Sequence, residues 1–133
     1  MTPPIALIGL DWGSTNVRAY AFDARGEIVA RAHSSAGALT LDGAQQFDDA
    51  LTALVGSWAR HSPTAALIAC GMVGAKSGWR EAGYVAIGAD VIAGDDSQAA
   101  ALAAHVVQVE TSLGRMLTII PGIKSDEPDV IIN

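Results

Sequence analysis

Apolar residues run without a break over positions 5–10 and include β-branched members, the pattern of a strand buried on both faces. The run gives way to Asp11-Trp12-Gly13-Ser14-Thr15, which reads as a tight turn. Over 17–23 the pattern alternates, with Val17, Ala19 and Ala21 on one face and Arg18, Tyr20 and Phe22 on the other. Asp23-Ala24-Arg25-Gly26 is turn chemistry, with a glycine where a left-handed residue is needed, and residues 27–34 resume as a third strand. Three strands joined by short turns predict an antiparallel meander.

Helical spacing takes over next. Phe47, Leu51, Leu54, Val55 and Trp58 form one apolar stripe. Asp42 is placed to cap the helix N-terminus and Gln45 to complete a capping box. Arg60 and His61 stand where positive charge suits a helix C-terminus, and Pro63 stops the helix. Residues 65–70 read as a fourth, buried strand, after which Gly71-Met72-Val73-Gly74 opens a loop. A short extended segment is predicted over 84–87, and an alanine-rich helix over 97–104 behind Asp95 and Asp96. Further strands are expected at Val106-Val107 and over 116–120. With no internal repeat or low-complexity linker, residues 1–133 are expected to form one α/β lobe.

Composition narrows the functional classes. Half of the residues are hydrophobic and 17% are charged, enough to build a core and to argue against disorder. Eight basic and fourteen acidic residues give a net charge of −6, a field that disfavours nucleic acid and anionic membranes. A small anionic ligand stays compatible, because a few local donors outweigh a distant net charge. Cys70 is the single cysteine, which rules out an intrachain disulfide and a cysteine metal cluster. The start Met1-Thr2-Pro3-Pro4 lacks the basic region of a secretory signal, and no stretch approaches the ~20 apolar residues of a membrane span. A soluble, cytoplasmic protein is expected.

Candidate chemistry concentrates at the first turn. Gly13 allows a ligand to approach the main chain, and successive backbone N–H groups in such a turn form an anion-binding concavity. Ser14 and Thr15 add hydroxyl donors, and Arg18 can neutralise phosphate charge or anchor the loop. Asp11, ending a buried strand, suits Mg²⁺ held through its water shell. Each residue type is also an ordinary turn former. The signal lies in the whole string from Asp11 to Asn16, set between a buried strand and an alternating one. His33, His61 and His105 lack metal-ligand spacing, Cys70 has no His or Asn constellation and reads as a structural thiol, and Asp48 and Asp49 read as a solvated helix face. No P-loop string occurs.

The Asp11–Asn16 string resembles the first phosphate motif of the actin-like kinases, and the element order matches their ribonuclease-H-like lobe. Cys70-Gly71-Met72-Val73-Gly74, then Gly78-Trp79, Glu81-Ala82 and Tyr84, resembles the corresponding stretch of 2-dehydro-3-deoxygalactonokinases. Ile8-Gly9-Leu10-Asp11-Trp12-Gly13 and Ile120-Pro121-Gly122 fit the same family. The resemblance implies Mg²⁺- and ATP-dependent phosphorylation of the terminal hydroxyl of 2-dehydro-3-deoxy-D-galactonate or its epimer. It implies ATP phosphate contacts from Gly13, Ser14, Thr15, Asn16 and Arg18. It also implies a sugar-acid site bordered by Gly71, Met72, Lys76, Trp79, Arg80 and Tyr84. There Lys76 or Arg80 would meet the carboxylate, and Trp79 or Tyr84 would pack on the carbon skeleton.

Enzymes of this kind close two lobes over nucleotide and sugar. The second phosphate motif, the adenosine loop and the catalytic base are expected in a C-terminal lobe beyond Asn133, so this chain is expected to be the N-terminal lobe and nearly inactive alone. Two readings from other classes stand beside this one. One is an actin-like nucleotide-binding switch without a sugar substrate, against which the 70–84 string counts. The other is a non-catalytic half-domain that pairs as a homodimer through surface meant for a second lobe.

Overall fold

The first apolar run becomes a strand displaced two residues from its predicted place. In the computed structural model, which describes residues 4–87, 103–125 and 131–132, β1 spans Leu7–Trp12. Asp11 and Trp12 are therefore strand residues rather than turn residues. The displacement is explained by pairing, because Asp11 and Trp12 are in register with Arg18 and Val17 of β2 (Val17–Phe22). β3 (Ile28–Ser34) completes the predicted antiparallel meander. Its turn closes through Asp23, whose Oδ1 accepts from the Arg25 and Glu27 amides, with Gly26 at φ 83°.

The helix α1 spans Ala44–His61 and buries Phe47, Leu51, Val55 and Ala59, with Leu54 and Trp58 partly buried beside them. Burying each large member contributes about 1.5–3 kcal/mol. The predicted cap is not formed. Gly43 takes the N-cap position at φ 85° and no side chain caps the helix. Gln46, not Gln45, reaches back to accept from the Asp42 amide, at 2.9 Å, while Gln45 donates to Asp49. A glycine entry turn shifts the helix start by one residue and rotates the expected partner away.

The other helix end has a partner that local pattern does not reveal. Arg115 donates to the carbonyls of Ala59, Ser62 and Ala65, at 2.7–3.0 Å, placing its charge against the negative end of α1. Asp48 likewise accepts from the Ser112 amide at 2.9 Å, so it ties α1 to a distant loop instead of forming a solvated face.

β4 (Ala66–Gly71) runs parallel to β1, and β7 (Met116–Ile119) runs parallel to β4, with β6 (Val107–Glu110) antiparallel at the edge. The main sheet order is β3-β2-β1-β4-β7-β6. Its inner face supplies Ile8, Leu10, Trp12, Val17, Ala19, Leu67, Ala69, Leu117 and Ile119 to the same core as the α1 stripe. A smaller sheet joins β5 (Tyr84–Ile87) parallel to β8 (Gly122–Ser125), with β9 (Ile131–Ile132) antiparallel to β8. The helix predicted over 97–104 falls mainly in 88–102, outside the described residues. Among the described residues no helix is long and apolar enough to cross a membrane.

Candidate functional site

At the closed end of the β1–β2 hairpin the chain turns through Gly13, Ser14, Thr15 and Asn16, with a bond from the Gly13 amide to the Asn16 carbonyl at 2.9 Å. Thr15 and Asn16 are exposed, and Asn16 donates to Thr15 Oγ1 at 3.0 Å. Asp11, Gly13, Ser14, Thr15, Asn16 and Arg18 together line an open depression of about 170 Å³. The six residues singled out by sequence, four in the turn and one on each flanking strand, are thus brought to one place. Strand pairing sets Asp11 directly beside Arg18 on β2 and beside Cys70 on β4, and all three are exposed.

The turn is held from behind by a segment that sequence reading passes over. Residues 36–40, which include a 3₁₀ turn at Ala38–Thr40, lie along its back. Trp12 Nε1 donates to the Ala36 carbonyl at 2.9 Å, Ala38 N to Gly13 O at 2.8 Å and Leu39 N to Ser14 O at 3.0 Å. A Cβ on Gly37 would overlap the Ser14 carbonyl oxygen and the Thr15 backbone. Glycine is needed there for close approach, not for its φ of −65°. Two carbonyls of the turn are occupied in this way, which leaves its outward side to hydroxyls and donors. In the sequence, Ser34-Ser35-Ala36-Gly37 signals only a loop; the long-range contact has no local signature.

Candidates from the segment after β4 are distributed differently. Gly71 has φ 100° and lies alongside Trp12, so a Cβ would stand 2.7 Å from the Trp12 carbonyl. Met72 and Trp79 are partly buried against the core. The Trp79 ring stacks on Phe47 at 5.9 Å and meets Trp12 edge-on at 6.1 Å, which makes it part of an aromatic cluster under the turn. Arg80 donates to the Gln108 carbonyl at 3.2 Å, Lys76 is exposed, and Tyr84 is 42% exposed at the start of β5. None of these six residues lines the turn depression.

Cys70 is exposed in area, yet its Sγ donates back to the Leu10 carbonyl at 3.6 Å. Desolvation first, and the neighbouring Asp11 carboxylate second, push its thiol pKa up, which disfavours the thiolate a nucleophile requires. Among the described residues no group of three or more His, Cys, Asp or Glu side chains forms a metal cage. Asp11, a single exposed carboxylate beside the polar turn, is the kind of donor that holds Mg²⁺ through water and a ligand's phosphates.

The chain resembles known proteins over most of its length. A curated relative from Rhizobium meliloti, described as a 2-dehydro-3-deoxygalactonokinase, is 36% identical over 78 residues, covering 57% of this chain and 24% of the relative. A crystal structure assigned as a 2-dehydro-3-deoxygalactonokinase from Sinorhizobium meliloti superposes with a TM-score of 0.69 at 26% identity. That match covers 94% of this chain and 37% of the other. The chain therefore spans less than two-fifths of the length of these relatives. The family model for 2-keto-3-deoxy-galactonokinase matches residues 11–132, beginning on Asp11, the penultimate residue of β1. The chain belongs to the 2-keto-3-deoxy-galactonokinase family.

Proposed function

We propose that this chain is the N-terminal, phosphate-gripping lobe of a kinase that transfers the γ-phosphoryl group of ATP to the terminal hydroxyl of 2-dehydro-3-deoxy-D-galactonate. The observation that carries the reading is the braced polar turn from Asp11 to Asn16, set within a family match over residues 11–132. Phosphoryl transfer is mostly positioning and electrostatic stabilisation, so a rigid donor cradle is the contribution one lobe can make. In this reading Gly13 admits the phosphates close to the main chain, Ser14, Thr15 and Asn16 donate to their oxygens, and Arg18 offsets their charge. Asp11 orients the water shell of Mg²⁺, whose chemistry when bound is to neutralise charge on the phosphate oxygens.

The sugar acid is assigned to the segment after β4, with Gly71, Met72, Lys76, Arg80 and Tyr84 as its candidate contacts. Lys76 or Arg80 receives its carboxylate, Arg80 by exchanging its present bond to the Gln108 carbonyl. Trp79 acts from beneath, holding Trp12 and hence the turn in place. The residue that takes the proton from the sugar hydroxyl is assigned to the second lobe, in keeping with the 37% of the solved relative that this chain matches.

Two measurements test the reading. Mg²⁺-ATP should bind the chain with saturation, read by tryptophan fluorescence, and Asp11→Asn should abolish the Mg²⁺-dependent part while leaving the circular dichroism spectrum unchanged. A chain indifferent to Mg²⁺-ATP sinks the proposal. Assayed alone with ATP and the sugar acid, the chain should turn over far below the ~1–100 s⁻¹ typical of kinases. Turnover within that range would refute the assignment of the catalytic base to a second lobe.

A further inference from the structure

On the face of the main sheet turned away from α1, β2 and β3 form a tile of four side chains. Arg18 lies opposite His33, and Tyr20 lies opposite Arg31. Alternation along each strand puts all four on one side. Arg18, Arg31 and His33 are exposed and Tyr20 is half-buried, its ring 6.5 Å from that of Phe22. With Ala32 they line an open depression of about 260 Å³, which shares Arg18 as a wall with the turn depression.

The charge of this tile runs against the composition. The chain has fourteen acidic residues to eight basic ones, yet no carboxylate lines the depression. The adjacent one in the ladder is Asp11, on the β1 side of Arg18. Arg18 and Arg31 are diagonal neighbours in the ladder, and a bound anion would offset the repulsion between the two guanidinium groups. β3 is an edge strand, and charge on an edge discourages pairing with other chains. That need is met by Arg31 alone. It does not account for His33 standing against Arg18 on the interior strand.

We propose that Arg31 and His33, floored by Tyr20 and sharing Arg18 with the turn depression, form a second anion subsite that takes a carboxylate or phosphate group other than the one held by the Asp11–Asn16 turn. A planar guanidinium matches either oxyanion through two parallel N–H bonds, and the Tyr20 hydroxyl is a further donor. The subsite stands on the β2–β3 geometry and does not depend on the kinase reading.

The test is a titration of the ¹⁵N-labelled chain, at constant ionic strength, with inorganic phosphate and separately with gluconate. Saturable shifts are expected at the amides of Tyr20, Arg31, Ala32 and His33 with at least one of the two. A response to phosphate alone identifies the group as phosphate, and a response to gluconate alone as carboxylate. The double substitution Arg31→Gln with His33→Gln should weaken this binding by about tenfold or more, and Ser14→Ala should leave it unchanged. Should the double variant lose spectral dispersion, Arg31→Gln and His33→Gln are read singly, each expected to weaken binding. No saturable response to either anion, equal affinity after substitution, or shifts confined to residues 13–16 would overturn the subsite.

Discussion

The two segments that carry the family resemblance, the turn over 11–16 and the stretch over 70–84, are built on opposite plans. The turn exposes its polar groups and takes its rigidity from behind, through the Trp12, Ala38 and Leu39 hydrogen bonds and the close approach of Gly37. The later stretch takes its rigidity from its own members. Trp79 enters the aromatic cluster with Trp12 and Phe47, and Gly74 and Gly78 pack so tightly that a Cβ on either would meet Ile119 or the Val73 and Met72 carbonyls. Of the sugar-site candidates there, Lys76, Arg80 and Tyr84 remain exposed, spread along the chain. One segment is a shaped site, and the other is a scaffold with a few polar outliers. The aromatic contact between Trp12 and Trp79 joins them.

If that contrast is right, the largest effect comes from the scaffold. Trp79→Ala removes a ring that touches both Phe47 and Trp12 and should destabilise the chain by about 3–5 kcal/mol, measured by urea unfolding. A substrate-contacting surface tryptophan would instead cost less than about 1 kcal/mol. A small loss of stability would therefore break the comparison and return Trp79 to the sugar site.

The next effect lies behind the turn. Gly37→Ala places a methyl group onto the Ser14 and Thr15 backbone, so the strap must move away. A loss of about 1–3 kcal/mol is expected, accompanied by weaker Mg²⁺-ATP binding, because the Ala38 and Leu39 bonds to the turn lengthen together. Binding that survives at full strength would show that the turn is rigid without its strap.

The same contrast explains what could be read from the sequence. The meander, α1, β4 and β7 follow from apolar patterning, because an unbroken run, an alternation or a 3.6-residue period is a local property of the chain. The turn residues were legible for the same reason. They are consecutive, so strand pairing alone brings Asp11, Gly13, Ser14, Thr15, Asn16 and Arg18 together. Gly37, Arg115 and Asp48 were not legible. Their partners lie more than twenty residues away, and nothing local marks a glycine needed for contact or an arginine that caps a distant helix. The Asp42 and Gln45 cap failed by one position because Gly43 at φ 85° starts the helix without a side-chain acceptor. Trp79 shows the limit most clearly. Its place in the string was readable, but the direction of its ring is decided by Phe47 and Trp12.

The smallest effect reads the junction between the two segments, where Cys70 of β4 lies beside Asp11 of β1. Its thiol pKa is raised, first by desolvation and then by the Asp11 carboxylate, so at pH 8 a smaller fraction is thiolate than in a free cysteine. Alkylation by iodoacetamide should therefore be slower than for a small-molecule thiol at that pH, and should accelerate as pH rises through the raised value. Asp11→Asn removes the second cause and leaves the first, so the rate should increase modestly and remain below that of the free thiol. A rate matching the free thiol in Asp11→Asn would make the carboxylate the main cause, and the two segments would then be coupled by charge more than by packing. No change at all would show that the Asp11 carboxylate does not act on Cys70, leaving the β1–β4 ladder and the Trp12–Trp79 contact to join the segments.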